Sequence, residues 1–544
     1  MKKIIKKTIA VLMIAVLAAS PLIAFAAEPL PIRQLFEDVG GEVIWDEDEQ
    51  SIHVFIDWAH MVFETQNANV SFPEFEMHLP LESGAFLQGN RSYITTEDLL
   101  TLFEFAFTPG NSRVGTIDRS RLLPESFGAT HQSGLAADAL QLVRTIEATH
   151  PIFIFDDMLP DDYEVRRDEF LTYVLGDITL EDFVWAAQRY IALLQDGHMG
   201  AGFSLVNENG VPILDDKMLN VHWIVTVDGT LFLADEKGEV LGEVQYIGGI
   251  PVSEVIETID TYYFYENAWD RMFIYSIHAS HWRLLERAGA QMTADEMVIV
   301  AIYSDGVVEE VAIPVDTTFF DLFIARFPSA DFIIQYEMIG DVFYIDFRTF
   351  IDGEHITAAA ESIETAVYDG IRHFVIDLRG NGGGNSFAGQ RLLNAMGLTM
   401  PGFGGVRRIT PLAVEQRGGW HYAILSTLGY DYFSFAPDTT TADNPHNVFV
   451  SVLTDMHTYS SGTMMTAWVQ DGNFGHIIGE PSRNYPSAFG DMLTFSLSYS
   501  GLSVIVSYSR FMRPDVNADQ QTLWPDIIVD PSTALDVALE YFVG

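Results

Sequence analysis

NVFVSVLTDMHTYSSGTMMTAWVQDGNFGHIIGE, residues 447–480, is the stretch on which the fold turns. Val448, Val450, Val452 and Leu453 form the apolar run of a buried strand. Asp455 to Ser461 is a short polar turn, and Met464, Met465, Trp468 and Val469 then recur at helical spacing. Phe474–Gly479 returns to strand character. Tyr459-Ser460-Ser461-Gly462 therefore stands where a strand's carboxyl end meets a helix N-terminus. Backbone N–H groups lack intrahelical partners there, and the helix end carries about +0.5 charge. Two readings follow. The serines cap a helix, or one of them is a nucleophile beside ready-made oxyanion donors.

The same alternation extends over Phe332–Gly544. GDVFYIDFRTF reads as a strand, and HITAAAESIETAVYDG as a helix with Ile356, Ala360, Ile363 and Val367 inward. HFVIDLRGNGGGN is a strand ending in glycines, and SFAGQRLLNAM is a helix. A late strand falls at Leu502–Ser509, and LWPDIIVDP leads to a last helix from Ser532. This is an α/β layout with crossover connections. Gly382-Gly383-Gly384 lets backbone approach a ligand closely, or simply makes a flexible turn. No Lys-Ser/Thr follows, so a phosphate loop is a poor fit.

Upstream, Ala201–Asp316 is strand-rich and contains EVLGEVQYIGGIPVSEVIETI, a strand–Gly turn–helix passage suited to an inserted binding module. Before it stand two amphipathic helices. One is Leu135–Pro151, with Leu135, Ala139, Leu142 and Ile146 on one face. The second starts at Thr179, with Asp182 at capping-box spacing, buries Phe183, Ala187, Tyr190 and Leu194, and stops at Gln195-Asp196-Gly197-His198. His198 is held by a rigid element yet able to face a cleft; taken alone it is more often a structural histidine than a base. Residues 108–134, rich in Gly, Pro, Ser and Arg, read as a linker.

Residues 27–107 read as a small α+β domain. A short helix ends at Gly40-Gly41, two alternating strands follow, and ITTEDLLTLFEFAF closes it as a helix. His53, His60 and His78 fit no metal-ligand spacing. Met1–Ala26 has the form of a secretory signal: Lys2, Lys3, Lys6 and Lys7, a short apolar stretch, then Ala24-Phe25-Ala26. Removing it takes a formal net charge of −47 four units lower. Such a surface repels nucleic acid and anionic lipid. With no cysteine, disulfides, thiolate catalysis and cysteine-ligated metals are excluded.

In order, D-G-H after a helix, F-V-I-D-L-R-G-N-G-G-G-N, T-Y-S-S-G before a helix, I-I-G-E-P and W-P-D-I-I-V-D resemble the C-terminal-processing (tail-specific) serine peptidases. The nearest branch is that of the tricorn core peptidase, and the likeness runs from about His150 to Asp530. It implies a ClpP/crotonase-like α/β core over 317–544. It also implies a helical subdomain over 135–200 carrying the histidine, and a β-rich PDZ-like module over 201–316. It places the nucleophile on Ser460, the base on His198, the orienting acid on Asp519 (with Asp515 as alternative), and the oxyanion donors on the Ser461 and Gly383 amides. The lysine that many members use as base falls on Tyr485, and no lysine follows Lys237. Thr463 stands where a glutamate is frequent, and Thr522 where a glycine is expected near the acid. His457 is a second, poorer candidate base. The resemblance implies protein or peptide substrates and no cofactor or metal. P-I-R-Q-L…G-G-E-V-I-W-D resembles the N-terminal domain of copper amine oxidases, a stalk module without copper ligands, which implies attachment or spacing and makes the cell wall a candidate partner. The expectation is thus a secreted serine endopeptidase; the alternative is an inactive peptide-binding or surface scaffold protein with the same fold.

Overall fold

The computed structural model describes residues between 29 and 543, leaving out chiefly 100–106, 109–115, 118–133, 202–216, 323–331 and 418–429 and some shorter gaps. The signal-like stretch 1–26, most of the proposed linker and most of the helix expected after Thr95 lie outside the described residues. Two compact units emerge: Met1–Leu140 with Leu171–Asp177, and Gln141–Phe170 with Ile178–Gly544.

In the first unit, Ile32–Glu37 is a one-and-a-half-turn helix halted before Gly40, whose φ of 83° suits glycine. A five-stranded antiparallel meander from Glu42–Asp46 to Met77–Pro80 follows. Val43, Ile52, Val54, Met61 and Phe63 are buried on its inner face. On the second strand, His53 Nδ1 lies 2.8 Å from His60 Nε2. Asp46, Glu49 and His53 bring three potential ligand atoms within 4.8 Å, but Asp46 already accepts the Glu49 N–H that closes the hairpin turn.

The second unit holds the α/β core. Helix α1 is Leu135–Thr149, in this unit from Gln141 on, and α2 is Leu180–Ala192, the latter opened by a full capping box between Thr179 and Asp182. Phe183, Ala187, Tyr190 and Leu194 are buried, as their spacing predicts. A seven-stranded antiparallel sheet follows, built on β1 (His222–Val225), β2 (Leu231–Ala234) and β3 (Val240–Ile247). The Gly248-Gly249 turn leads into α3 (Val252–Tyr262), and α4 (Ala268–His278) packs on β1.

The core sheet runs in the order β4 (Ile334–Ile339), β5 (Val342–Phe347), β6 (His373–Asp377), β7 (Phe449–Thr454), β8 (Gly475–Gly479) and β9 (Ile527–Ile528). All neighbours are parallel except the β4–β5 hairpin. Helices α5 (Glu354–Tyr368), α6 (Ser386–Ala395) and α7 (Ser461–Asp471) supply crossovers and cover one face. Ile356, Ile363 and Val367 of α5 point inward as expected, with Ala359 more buried than Ala360. Phe374, Ile376, Val450 and Val452 are fully buried, each contributing about 1.5–3 kcal/mol of transfer free energy. Parallel pairing of β6 with β7, Asp377 opposite Leu453, brings their carboxyl-terminal loops out side by side. Those loops are the glycine run and the serine turn. Among the described residues no helix is long and apolar enough to cross a membrane.

Candidate active site

Ser460 is the N-cap of α7, with φ 53° and ψ −116°, a conformation that side-chain-bearing residues avoid. It costs about 1–3 kcal/mol and is held from several sides. Its N–H donates to Asn484 Oδ1 at 2.8 Å, and its carbonyl accepts from Met464. Thr463, the residue in place of the frequent glutamate, donates its hydroxyl to the same Asn484 oxygen at 2.6 Å. The threonine thus helps to brace the serine turn. Asp455 Oδ1 accepts from the amides of Gly380, His457 and Thr458, tying the start of the glycine run to the serine turn. The Thr458 hydroxyl reaches Leu378 O, and the Tyr459 N–H reaches Asn381 O.

The two serines are unequal. Ser461 donates its hydroxyl to Gly384 O at 2.6 Å. The Ser460 hydroxyl has no hydrogen bond among the described residues. The Ser461 amide is the first of α7, where no intrahelical acceptor exists. Gly383 (φ 93°) lies so close that a Cβ there would come within 2.7 Å of Tyr459 O and 2.8 Å of Ser460 Cβ. Glycine is required at that contact. The Gly383 N–H, however, donates to Asn381 Oδ1 at 2.8 Å, so it is already engaged rather than open as an oxyanion donor.

His198 packs against the residue before the serine. Its ring centroid lies 4.7 Å from that of Tyr459, and Nδ1 is 3.3 Å from the Tyr459 hydroxyl. Gly197 makes this approach possible, since a Cβ there would meet the Tyr459 hydroxyl at 2.7 Å. The His198 side chain is 5 % exposed, and its Nε2 is buried without a hydrogen-bond partner. No hydrogen bond joins His198 to Ser460. The Arg483 guanidinium covers Tyr459 at 3.9 Å and pairs with Asp270 at 3.3 Å.

The structure does not bring Asp519 to His198. Asp519 Oδ2 accepts from Arg510 at 2.7 Å, and Asp515 caps its own short turn through the Asn517 N–H. The carboxylate beside His198 is Asp196, passed over in the sequence reading. Its Oδ1 accepts the His198 N–H at 2.8 Å and lies 3.6 Å from Nδ1; its Oδ2 is 3.1 Å from His150 Nε2. Burial alone would push Asp196 up, but hydrogen bonds from His150 and His198 hold it well below the usual carboxylate range. Glu266 shows the opposite response: burial, then the neighbouring Asp270, pushes it well above that range. Its Oε2 accepts the N–H of Tyr485, so the position of the family's lysine contributes only backbone here. The ring of His457 faces Phe273, 5.9 Å away.

With that geometry in hand, residues 341–529 match peptidase family S41. This stretch, spanning the glycine run, the serine turn and β9, is a family S41 peptidase domain. Mature CPAF complexed with lactacystin is 13% identical over 75% of this chain and 97% of that one, with a TM-score of 0.51. The photosystem II D1 C-terminal processing protease is likewise 13% identical, over 74% of this chain and 94% of that one, with a TM-score of 0.40. The first of these extends the fold likeness beyond the matched domain. No curated protein matches the chain by sequence.

Proposed function

We propose that the protein is an exported serine endopeptidase that cleaves proteins or peptides through an acyl-enzyme. The observation that carries this reading is the Ser460 turn: an unbonded hydroxyl on a strained N-cap, against the glycine run, beside the residue on which His198 rests. Ser460 attacks the scissile carbonyl, and His198 Nε2 takes the proton and returns it to the leaving amine. The buried, unpartnered state of that nitrogen supports the assignment, because such a group otherwise has a partner. The Ser461 amide receives the developing oxyanion. Gly383 joins it once its N–H exchanges Asn381 Oδ1 for the substrate oxygen. Export rests on the Met1–Ala26 pattern.

The missing His198–Ser460 hydrogen bond favours a second reading, a binding protein with the peptidase fold. Catalytic contacts often tighten only with substrate, so the first reading is preferred. Digestion of an unfolded protein by purified wild type and Ser460→Ala decides between them. Loss of turnover by about 10⁶-fold is expected; equal cleavage by both would refute the serine mechanism.

A further inference from the structure

We propose that Asp196, braced by His150, is the group that orients His198 for proton transfer. This rests on the peptidase reading above and replaces Asp519 in it. Asp196 and His198 sit two residues apart on one turn, with Asp196 Oδ1 accepting the His198 N–H. Base and carboxylate therefore arrive as one local unit. His150 Nδ1 accepts the Ile152 N–H at 3.2 Å, so that nitrogen carries no proton. The His150 proton is then on Nε2, which donates to Asp196 Oδ2. Both the Asp196 and the His150 side chains are fully buried.

With one carboxylate oxygen anchored this way, the other is left facing His198 Nδ1 at 3.6 Å. Nδ1 also lies 3.3 Å from the Tyr459 hydroxyl, and a rotation of the ring from that hydroxyl toward the carboxylate closes the gap to a hydrogen bond. A proton on Nδ1 leaves the Nε2 lone pair bare, the tautomer a base needs. Asp196 stays ionised while His198 cycles, because two histidines hydrogen-bond to it. Asp519 lacks this geometry: Arg510 takes its Oδ2, its Oδ1 is buried with no hydrogen-bond partner, and neither oxygen forms a hydrogen bond or ion pair with His198.

The test has two parts on the full chain. In the wild type, ¹⁵N NMR of labelled histidine should show His198 protonated on Nδ1 above its titration and His150 on Nε2. A His198 proton on Nε2 would overturn the proposal without any mutation. In peptide hydrolysis, Asp196→Asn should lower kcat by about 10³–10⁴-fold, the size expected when the base takes the wrong tautomer, with KM nearly unchanged. His150→Phe keeps a ring against Phe489, 4.4 Å from His150, but removes the donor. It should lower kcat about 10–100-fold and displace the limb of the pH profile set by His198, with His150→Gln partly restoring both. The other titratable and charged groups around that ring, Tyr459, Glu266, Asp270 and Arg483, are unchanged in these variants. A larger loss in Asp519→Asn than in Asp196→Asn would overturn the proposal. Full activity in Ser460→Ala would instead remove the peptidase reading on which it stands.

Discussion

Ser460 and Gly383 show how much of this site depends on single atoms. The serine occupies a backbone conformation it would not choose, and Asn484, Asp455 and the close glycine together impose it. Gly383→Ala should therefore do double damage. A side chain at φ 93° is strained by about 1–2 kcal/mol, and its Cβ would press on Ser460 Cβ and the Tyr459 carbonyl. Turnover should fall at least about 10²-fold, with a lower melting temperature; near-normal kcat with an intact fold would contradict the packing described. The glycine run and the serine were legible in the sequence because both lie in short contiguous motifs. Asp196 was equally visible inside D-G-H, and its spacing to the His198 N–H was a readable side-chain–backbone turn. What could not be read was His150, 46 residues earlier, which fixes the other oxygen. Asp519 instead pairs with Arg510 of the strand Ser503–Met512, a contact that no motif marks.

The strands of the core sheet could be read from their apolar runs, and α2 from its cap and spacing. The second sheet of the core was harder. Phe489–Ser496 and Ser503–Met512 form a hairpin, but Gly200 of Gly200–Ala201 lies opposite Ile505 and Gly404 of Gly404–Arg408 opposite Met512, and local pattern does not announce those distant partners. The carboxyl ends of the parallel strands also collect acids. Glu480, just after β8, is pushed up from 4.5 to about 7 by burial and then by Asp455 and Asp530. The folded chain thus holds a proton that the unfolded chain releases, and stability falls as pH rises from about 4.5 to about 7. Glu480→Gln should flatten that slope and raise the melting temperature relative to wild type above pH 7. Parallel melting curves of the two proteins from pH 4.5 to 8 would contradict the assignment.

Taken together, the chain is an acidic protein whose family S41 domain sets a serine at the mouth of a helix, while a histidine from about 260 residues earlier is delivered against the preceding tyrosine. The β-rich module joins the same structure: Asn267 donates to Ser482 O, Asp270 pairs with Arg483, and Glu266 accepts from Tyr485, all within the segment that holds Asn484. Ser460, His198 and Asn484, the nucleophile, base and brace of the proposed mechanism, thus come from three separate parts of the chain, and only the folded molecule unites them. Reaction of the purified protein with a fluorophosphonate, followed by mass-spectrometric mapping of the adduct, tests that union most directly. A single adduct on Ser460, absent in Ser460→Ala and slowed by orders of magnitude in His198→Ala, is the predicted result. No adduct on the wild type, or labelling of Ser460 at an undiminished rate without His198, would contradict it.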